Sequence, residues 1–158
     1  MSIEILTELA IEAHGFAVNT INNGGELPPF TIYRKGDGST VRLILEDYAD
    51  KKEQAIFSLR VKMRQEKATD YIIGFEAWLS KPKGGRIVGM ARDDPDREDV
   101  VSICGGDNKG ISIAWSAQIA TALGMRYVKP LEKFFTSDSP EAVVEGSAAH
   151  LLYDRDAN

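Results

Sequence analysis

The sequence is poor in the residues that build disulfides and many catalytic or metal sites. Cys104 is the single cysteine, and histidine occurs only at His14 and His150. One thiol can form neither an intrachain disulfide nor a zinc site built on several thiolates. No apolar run approaches the ~20 residues that a membrane-spanning helix needs. We therefore expect a cytoplasmic protein without a transmembrane segment.

An excess of positive charge is also missing. The 158 residues carry 19 Lys and Arg against 24 Asp and Glu, a formal net charge of −5. This balance opposes general attraction to phosphate backbones and anionic lipids, so we expect no membrane partner, and nucleic acid only through a local basic patch. The first 13 residues carry three glutamates at helical spacing, which predicts a helix rather than a signal peptide.

The overall composition is that of an ordinary globular protein. Hydrophobic residues make up 43% of the chain and charged residues 27%, and a chain of this length buries ~68–70% of its unfolded surface. We expect a single α+β domain over residues 1–152, followed by a frayed polar tail at 153–158.

Two segments have the apolar period of an amphipathic helix. The first is expected to begin with Ser2 as its N-cap and to end at Gly15. The second runs from about residue 49 to 68 with Asp50 as its cap, and its apolar side should face a sheet. A weaker helical pattern lies between Pro140 and Leu152.

Several segments have the alternation or the β-branched and aromatic content of strands: Phe30–Arg34, Val41–Leu45, Tyr71–Leu79, Val100–Cys104 and Ile111–Trp115. A further short strand is expected around residues 126–128. The short connections predict a mostly antiparallel sheet of about five strands in the order α-β-β-α-β-β-β. We expect both helices to cover one face of this sheet and to leave the other face open.

The strand Tyr71–Leu79 contains a carboxylate in an otherwise apolar stretch. Glu76 shares one strand face with Trp78, and a carboxylate there must be exposed or paired. Arg97, at the start of the next strand, is the expected partner in an ion pair of ~0.2–1 kcal/mol on the face of the sheet that the helices leave open. Alternatively, Glu76, Trp78 and Arg97 form the edge of a binding surface, because Trp and Arg commonly anchor interfaces.

Two short motifs carry a resemblance to a protein group. Glu76-Ala77-Trp78 ends a strand that follows a charged helix, and residues 95–100, Pro-Asp-Arg-Glu-Asp-Val, lead into the next strand. In these features residues 57–103 resemble a group of small uncharacterised bacterial and phage-borne proteins. The group has no established activity, so the resemblance implies no catalytic residue. It implies a bacterial or phage origin and points again to Glu76, Trp78 and Arg97.

The residues that could carry chemistry have simpler structural interpretations. The acidic residues around Asp94 and Asp96 lack the spacing of an EF-hand and favour a solvated turn. His14 is expected to stabilise the end of the first helix, and Cys104 to act as a small buried hydrophobe, although a catalytic pair with His150 is an alternative. We therefore expect no catalytic residue, no metal and no cofactor.

Three functional hypotheses follow. The first is a non-enzymatic protein-binding module that contacts another protein or itself as a dimer; in one version it is a phage inhibitor of a host system. The second is a small hydrolase or transferase, which needs Asp94, Asp96 and a histidine to converge within ~4–6 Å. The third is a small-molecule sensor, which needs an apolar cavity of ~300 Å³ or more between helix and sheet.

Overall fold

The fold combines two helices with one large antiparallel sheet. A computed structural model describes residues 2–46, 48, 50–79, 95–137 and 151–152. Within them lie these elements: α1 (Ser2–Asn22), β1 (Phe30–Lys35), β2 (Thr40–Ile44), α2 (Lys52–Gln65), β3 (Ala68–Leu79), β4 (Glu98–Asp107), β5 (Ser112–Ala122), β6 (Met125–Val128) and β7 (Glu132–Ser137). The α+β class is as predicted, and the sheet has seven strands, one more than the five strands and the further short strand expected from the sequence.

The strands are arranged in the order β2-β1-β3-β4-β5-β6, and every pair is antiparallel. β7 also pairs with β5, beside its first half, while β6 pairs with its second half. The β1–β2 hairpin and the short β6 strand were predicted from the sequence. β7 was not, because its residues follow a proline and show no clear alternation.

Helix α1 does not end at Gly15 as predicted but continues to Asn22. A glycine inside a helix costs about 1 kcal/mol relative to alanine. The apolar stripe resumes beyond it, and Ala17 and Ile21 are almost completely buried. The burial of these side chains outweighs the local preference of one glycine.

The end of α1 is formed instead by a pair of glycines. Gly24 has a φ of +86°. Its N–H donates to the carbonyl of Ile21 at 3.0 Å, and the N–H of Gly25 donates to the carbonyl of Thr20 at 3.0 Å. This is the Schellman arrangement, which satisfies the last carbonyls of a helix and requires a residue that tolerates the left-handed conformation.

The two helices lie on opposite faces of the sheet, so the prediction that both cover one face is wrong. Ile72 of β3 belongs to the core formed with α1, whereas Tyr71 and Ile73 belong to the core formed with α2. All three side chains are fully buried. A strand that is apolar on both sides needs cover on both sides, and the continuous run Tyr71-Ile72-Ile73 is the sequence signal for this.

Smaller differences concern the ends of elements. The N-cap of α2 is Lys51, which makes no side-chain capping hydrogen bond, so the cap predicted at Asp50 is wrong. β4 continues through Gly105 and Gly106, beyond the strand end predicted at Cys104. The predicted helix at 140–152 lies outside the described residues except for 151 and 152, and the tail at 153–158 lies wholly outside them. No helix in the described part of the chain is long and apolar enough to cross a membrane.

Candidate interaction surface at one end of the sheet

The candidate site lies where β3 ends and β4 begins. In the β3–β4 register Trp78 is opposite Asp99, and Glu76 is opposite Val101. Directly opposed residues project from the same face, and here this is the face covered by α1, because Val101 belongs to the α1 core. The prediction that Glu76 and Trp78 lie on a helix-free face is therefore wrong. Helix α1 does not cover the end of β3, since Trp78 is 50% exposed whereas Ile72 is fully buried.

Arg97 lies against the ring of Trp78. The guanidinium carbon is 4.5 Å from the centroid of the indole, which is the distance of a cation–π contact worth ~0.5–1 kcal/mol at an exposed site. The antiparallel pairing of β3 and β4 explains the proximity, because it brings the residue before β4 next to the end of β3. The structure thus places two of the three predicted site residues in direct contact.

The third predicted residue, Glu76, is engaged in a different way. One carboxylate oxygen, Oε2, accepts the N–H of Leu27 at 3.2 Å. The other oxygen forms an ion pair with the guanidinium of Arg126 on β6. Among the described residues the partner of Glu76 is therefore Arg126, and the pair predicted with Arg97 is wrong.

The contact between Glu76 and Arg126 requires a curved sheet. β4 and β5 lie between β3 and β6, and adjacent strands are about 4.8 Å apart. The register also sets Arg126 four residues along β5 from the position opposite Glu76, so a flat sheet would hold the two backbones roughly 20 Å apart, too far for a direct ion pair. The end of α1 fills the concave side, where Val128 donates its N–H to Oδ1 of Asn22 at 2.9 Å. Glu76 therefore ties the loop after α1 to β6 and closes this end of the α1 core.

The residues considered for catalysis are not brought together in the described part of the chain. His14 lies within α1 rather than at its end, so the predicted capping role is wrong. Its Nε2 is 2.8 Å from the carbonyl of Lys129, and because a carbonyl only accepts, Nε2 carries the proton. Asp96 lies in the turn before β4. Asp94 and His150 lie outside the described residues.

The chemistry of Cys104 is that of a protonated thiol. Burial raises the pKa of Cys104 to about 11, and the charge of Lys52 opposes the shift only in part. The thiol therefore stays uncharged at neutral pH and is a poor nucleophile. Within the ranges that the structure describes, no group of three or more His, Cys, Asp or Glu side chains is arranged to hold a metal ion.

The structure also contains a groove that was not located from the sequence. It is a groove of about 320 Å³ between the edge strand β2 and helix α2. Its lining is apolar at Leu43, Leu45 and Leu59 and polar at Gln54 and Lys62. The sequence hypothesis required a cavity of this size between helix and sheet, but it could not place one, because the side of the sheet that α2 covers was unknown.

Comparison of the chain with models of known protein families, with curated proteins and with solved structures gave no match.

Proposed function

We propose that this protein is a non-enzymatic protein-binding module of bacterial or phage origin, acting in the cytoplasm, and that its contact surface is centred on Trp78 and Arg97. The observation that carries the proposal is the half-exposed indole of Trp78 with the Arg97 guanidinium stacked 4.5 Å from its centroid. Glu76 supports this surface from within, through its contacts to Leu27 and Arg126.

The pair suits an interface for two physical reasons. Trp and Arg are enriched among the residues whose truncation costs most binding energy, because each offers a large planar surface together with hydrogen-bond donors. The stacking also restricts both side chains before a partner arrives, which lowers the conformational entropy lost on binding.

The charge of the chain favours a partner with a basic rim. A net charge of −5 accelerates encounters with a positively charged surface and slows encounters with an acidic one. In one version of the proposal the protein is a phage inhibitor that covers a basic surface of a host protein. In another, the partner is a second copy of the chain.

The test compares Trp78→Ala with Phe57→Ala, a control aromatic that is 68% exposed on the outer side of α2. The immobilised wild-type chain is incubated with bacterial lysate, retained proteins are identified by mass spectrometry, and self-association is measured by sedimentation. We expect a retained partner or a dimer whose affinity falls ~10-fold or more in Trp78→Ala and is unchanged in Phe57→Ala. A monomer that retains nothing, or binding that tolerates Trp78→Ala, would contradict the proposal.

The groove between β2 and α2 favours a second candidate, the binding of a small amphipathic molecule. Its volume of about 320 Å³ lies at the lower end of the range for ligand pockets. Anilinonaphthalene sulfonate is a suitable probe, because it has an apolar body and one charge. We expect its fluorescence to rise with the wild-type chain and not with Ala55→Phe, which places a ring in the groove. An equal rise with both chains would exclude this site.

A further inference from the structure

Two aspartates are buried opposite each other at the end of the sheet remote from Trp78. Asp70 near the start of β3 is 2% exposed, and Asp107 at the end of β4 is 1% exposed. They are direct partners in the β3–β4 register. Neither belongs to the surface proposed above, and the inference drawn from them does not depend on it.

The backbone pairing brings these two side chains as close as a sheet allows. The N–H of Asp107 donates to the carbonyl of Ile111 at 3.0 Å, and the N–H of Asn108 donates to the carbonyl of Thr69 at 3.2 Å. The backbone groups of Asp107 therefore point toward β5, and Asp70 and Asp107 form a pair without mutual backbone hydrogen bonds. In such a pair the Cα atoms are about 4.5 Å apart and the side chains project together.

Each carboxylate has one satisfied and one unsatisfied oxygen. Oδ1 of Asp107 accepts the N–H groups of Lys109 and Ile111, both at 2.9 Å. Oδ2 of Asp70 accepts the hydroxyl of Thr69 at 2.7 Å. The remaining oxygens, Oδ1 of Asp70 and Oδ2 of Asp107, are buried and have no hydrogen-bond partner among the described residues. If both of these opposed carboxylates were ionised, they would repel each other and these two oxygens would lack a donor.

We propose that Asp70 and Asp107 share one proton at neutral pH, so that Oδ1–H of Asp70 donates to Oδ2 of Asp107. A single proton taken from solvent satisfies both orphaned oxygens and removes one of the two buried charges. We assign the proton to Asp70 because Oδ1 of Asp107 already accepts two backbone N–H groups, whereas Asp70 accepts only one hydroxyl.

The charges around the pair agree with this assignment. Burial raises the pKa of Asp70, and the negative charge of Asp107 raises it further. Three groups lower the pKa of Asp70 instead: the hydroxyl of Thr69, the cation of Arg34 on the neighbouring strand β1, and the cation of Lys109 in the β4–β5 turn. A carboxyl whose pKa is higher in the folded than in the unfolded chain stabilises the fold below its unfolded pKa. That stabilisation is lost as the pH rises through the folded pKa.

The consequence is a pH-sensitive contact at one end of the sheet. Asp107 holds the β4–β5 turn through the N–H groups of Lys109 and Ile111. Loss of the shared proton places two like charges in direct opposition across β3 and β4. We therefore expect this turn, and the strand ends that it joins, to loosen on the alkaline side.

The decisive measurement is a carbon-13 NMR titration of the aspartate carboxyl groups in the wild-type chain. We expect Asp70 to titrate well above the usual range for aspartate, and its resonance to be lost in Asp70→Asn. If both Asp70 and Asp107 are ionised throughout neutral pH, the proposal is overturned.

Thermal unfolding gives an independent readout. Asp70→Asn supplies a permanent amide donor to Asp107, so its melting temperature should exceed that of the wild type by about 2–4 °C at pH 8 and depend less on pH. The control Asp99→Asn changes an exposed aspartate on β4, the strand that carries Asp107, and should behave as the wild type. A wild-type melting temperature that rises with added CaCl₂, and not in Asp70→Asn, would show that a cation rather than a proton fills the gap.

Discussion

At the scale of single residues, Gly105 marks the place where β3 and β4 leave no room for a side chain. A Cβ there would lie 2.7 Å from Cα of Ile72 and would collide with the carbonyl of Tyr71. Both obstacles are backbone atoms in the middle of the sheet, so the strands themselves would have to separate. This close approach explains why position 105 within the strand is a glycine.

We predict that Gly105→Ala lowers the free energy of unfolding by at least about 1–3 kcal/mol, the usual cost of an overpacked core. Gly15→Ala is the matched control, because it lies within α1 with open space around its position. There alanine should stabilise the fold by about 0.5–1 kcal/mol. Urea unfolding followed by circular dichroism measures both. Equal effects of the two substitutions would contradict this explanation.

Leu123 adopts a backbone conformation that suits its side chain poorly. Its φ is +53° and that of Gly124 is +73°, which is the type I′ turn of a two-residue hairpin. Its side chain is completely exposed, so no burial compensates for the strain. We predict that Leu123→Asn stabilises the fold by about 1 kcal/mol, measured as a higher urea midpoint. A lower midpoint would mean that Leu123 makes a contact that offsets the strain.

At the scale of elements, Glu76 links three of them. Its carboxylate bonds the loop after α1 through Leu27 and reaches β6 through Arg126. Because the side chain is 29% exposed, water screens part of the interaction. We predict that Glu76→Ala costs about 1–2 kcal/mol of unfolding free energy, against almost none for Glu26→Ala, an exposed glutamate of the same loop.

A double-mutant cycle with Arg126→Ala identifies the source of that loss. If the ion pair accounts for the lost unfolding free energy, the effects of Glu76→Ala and Arg126→Ala should be clearly less than additive. Additive effects would show instead that Glu76 acts mainly through the N–H of Leu27.

The sequence predicted the elements with strong local signals. The β1–β2 hairpin has a glycine-rich turn between two β-branched and aromatic strands, and β3 has a long, almost continuous apolar run. The predicted end of α1 at Gly15 was wrong because the helix is stabilised beyond it by Ala17 and Ile21, whose burial depends on tertiary contacts. The side of the sheet that each helix covers is likewise a tertiary property.

For the candidate site, too, only the contact between residues close to one connection could be predicted from the sequence. Trp78 and Arg97 flank a single antiparallel connection, so local pairing brings them together. Arg126 could not be assigned to Glu76, because the two residues are 50 positions apart and meet only through the curvature of the sheet. Asp70 and Asp107 have unremarkable local sequences, and only the register shows that they are opposed.

At the scale of the whole molecule, the two cores share one sheet. Leu9 of α1 belongs to one core and Leu59 of α2 to the other. We predict that Leu9→Ala and Leu59→Ala each cost about 2–5 kcal/mol and that both shift one common unfolding transition. Fluorescence of the tryptophans and far-UV circular dichroism should give coincident curves. Separate transitions would show that the layers unfold independently.

The position of β3 between the two cores also limits how this chain can change in length. Successive residues of β3 face α1 and α2 in alternation, so one inserted residue would send every later side chain to the wrong layer. Insertions and deletions in evolution should therefore be confined to exposed turns such as residues 36–39 and 123–124, and β3 should keep a constant length among any homologues.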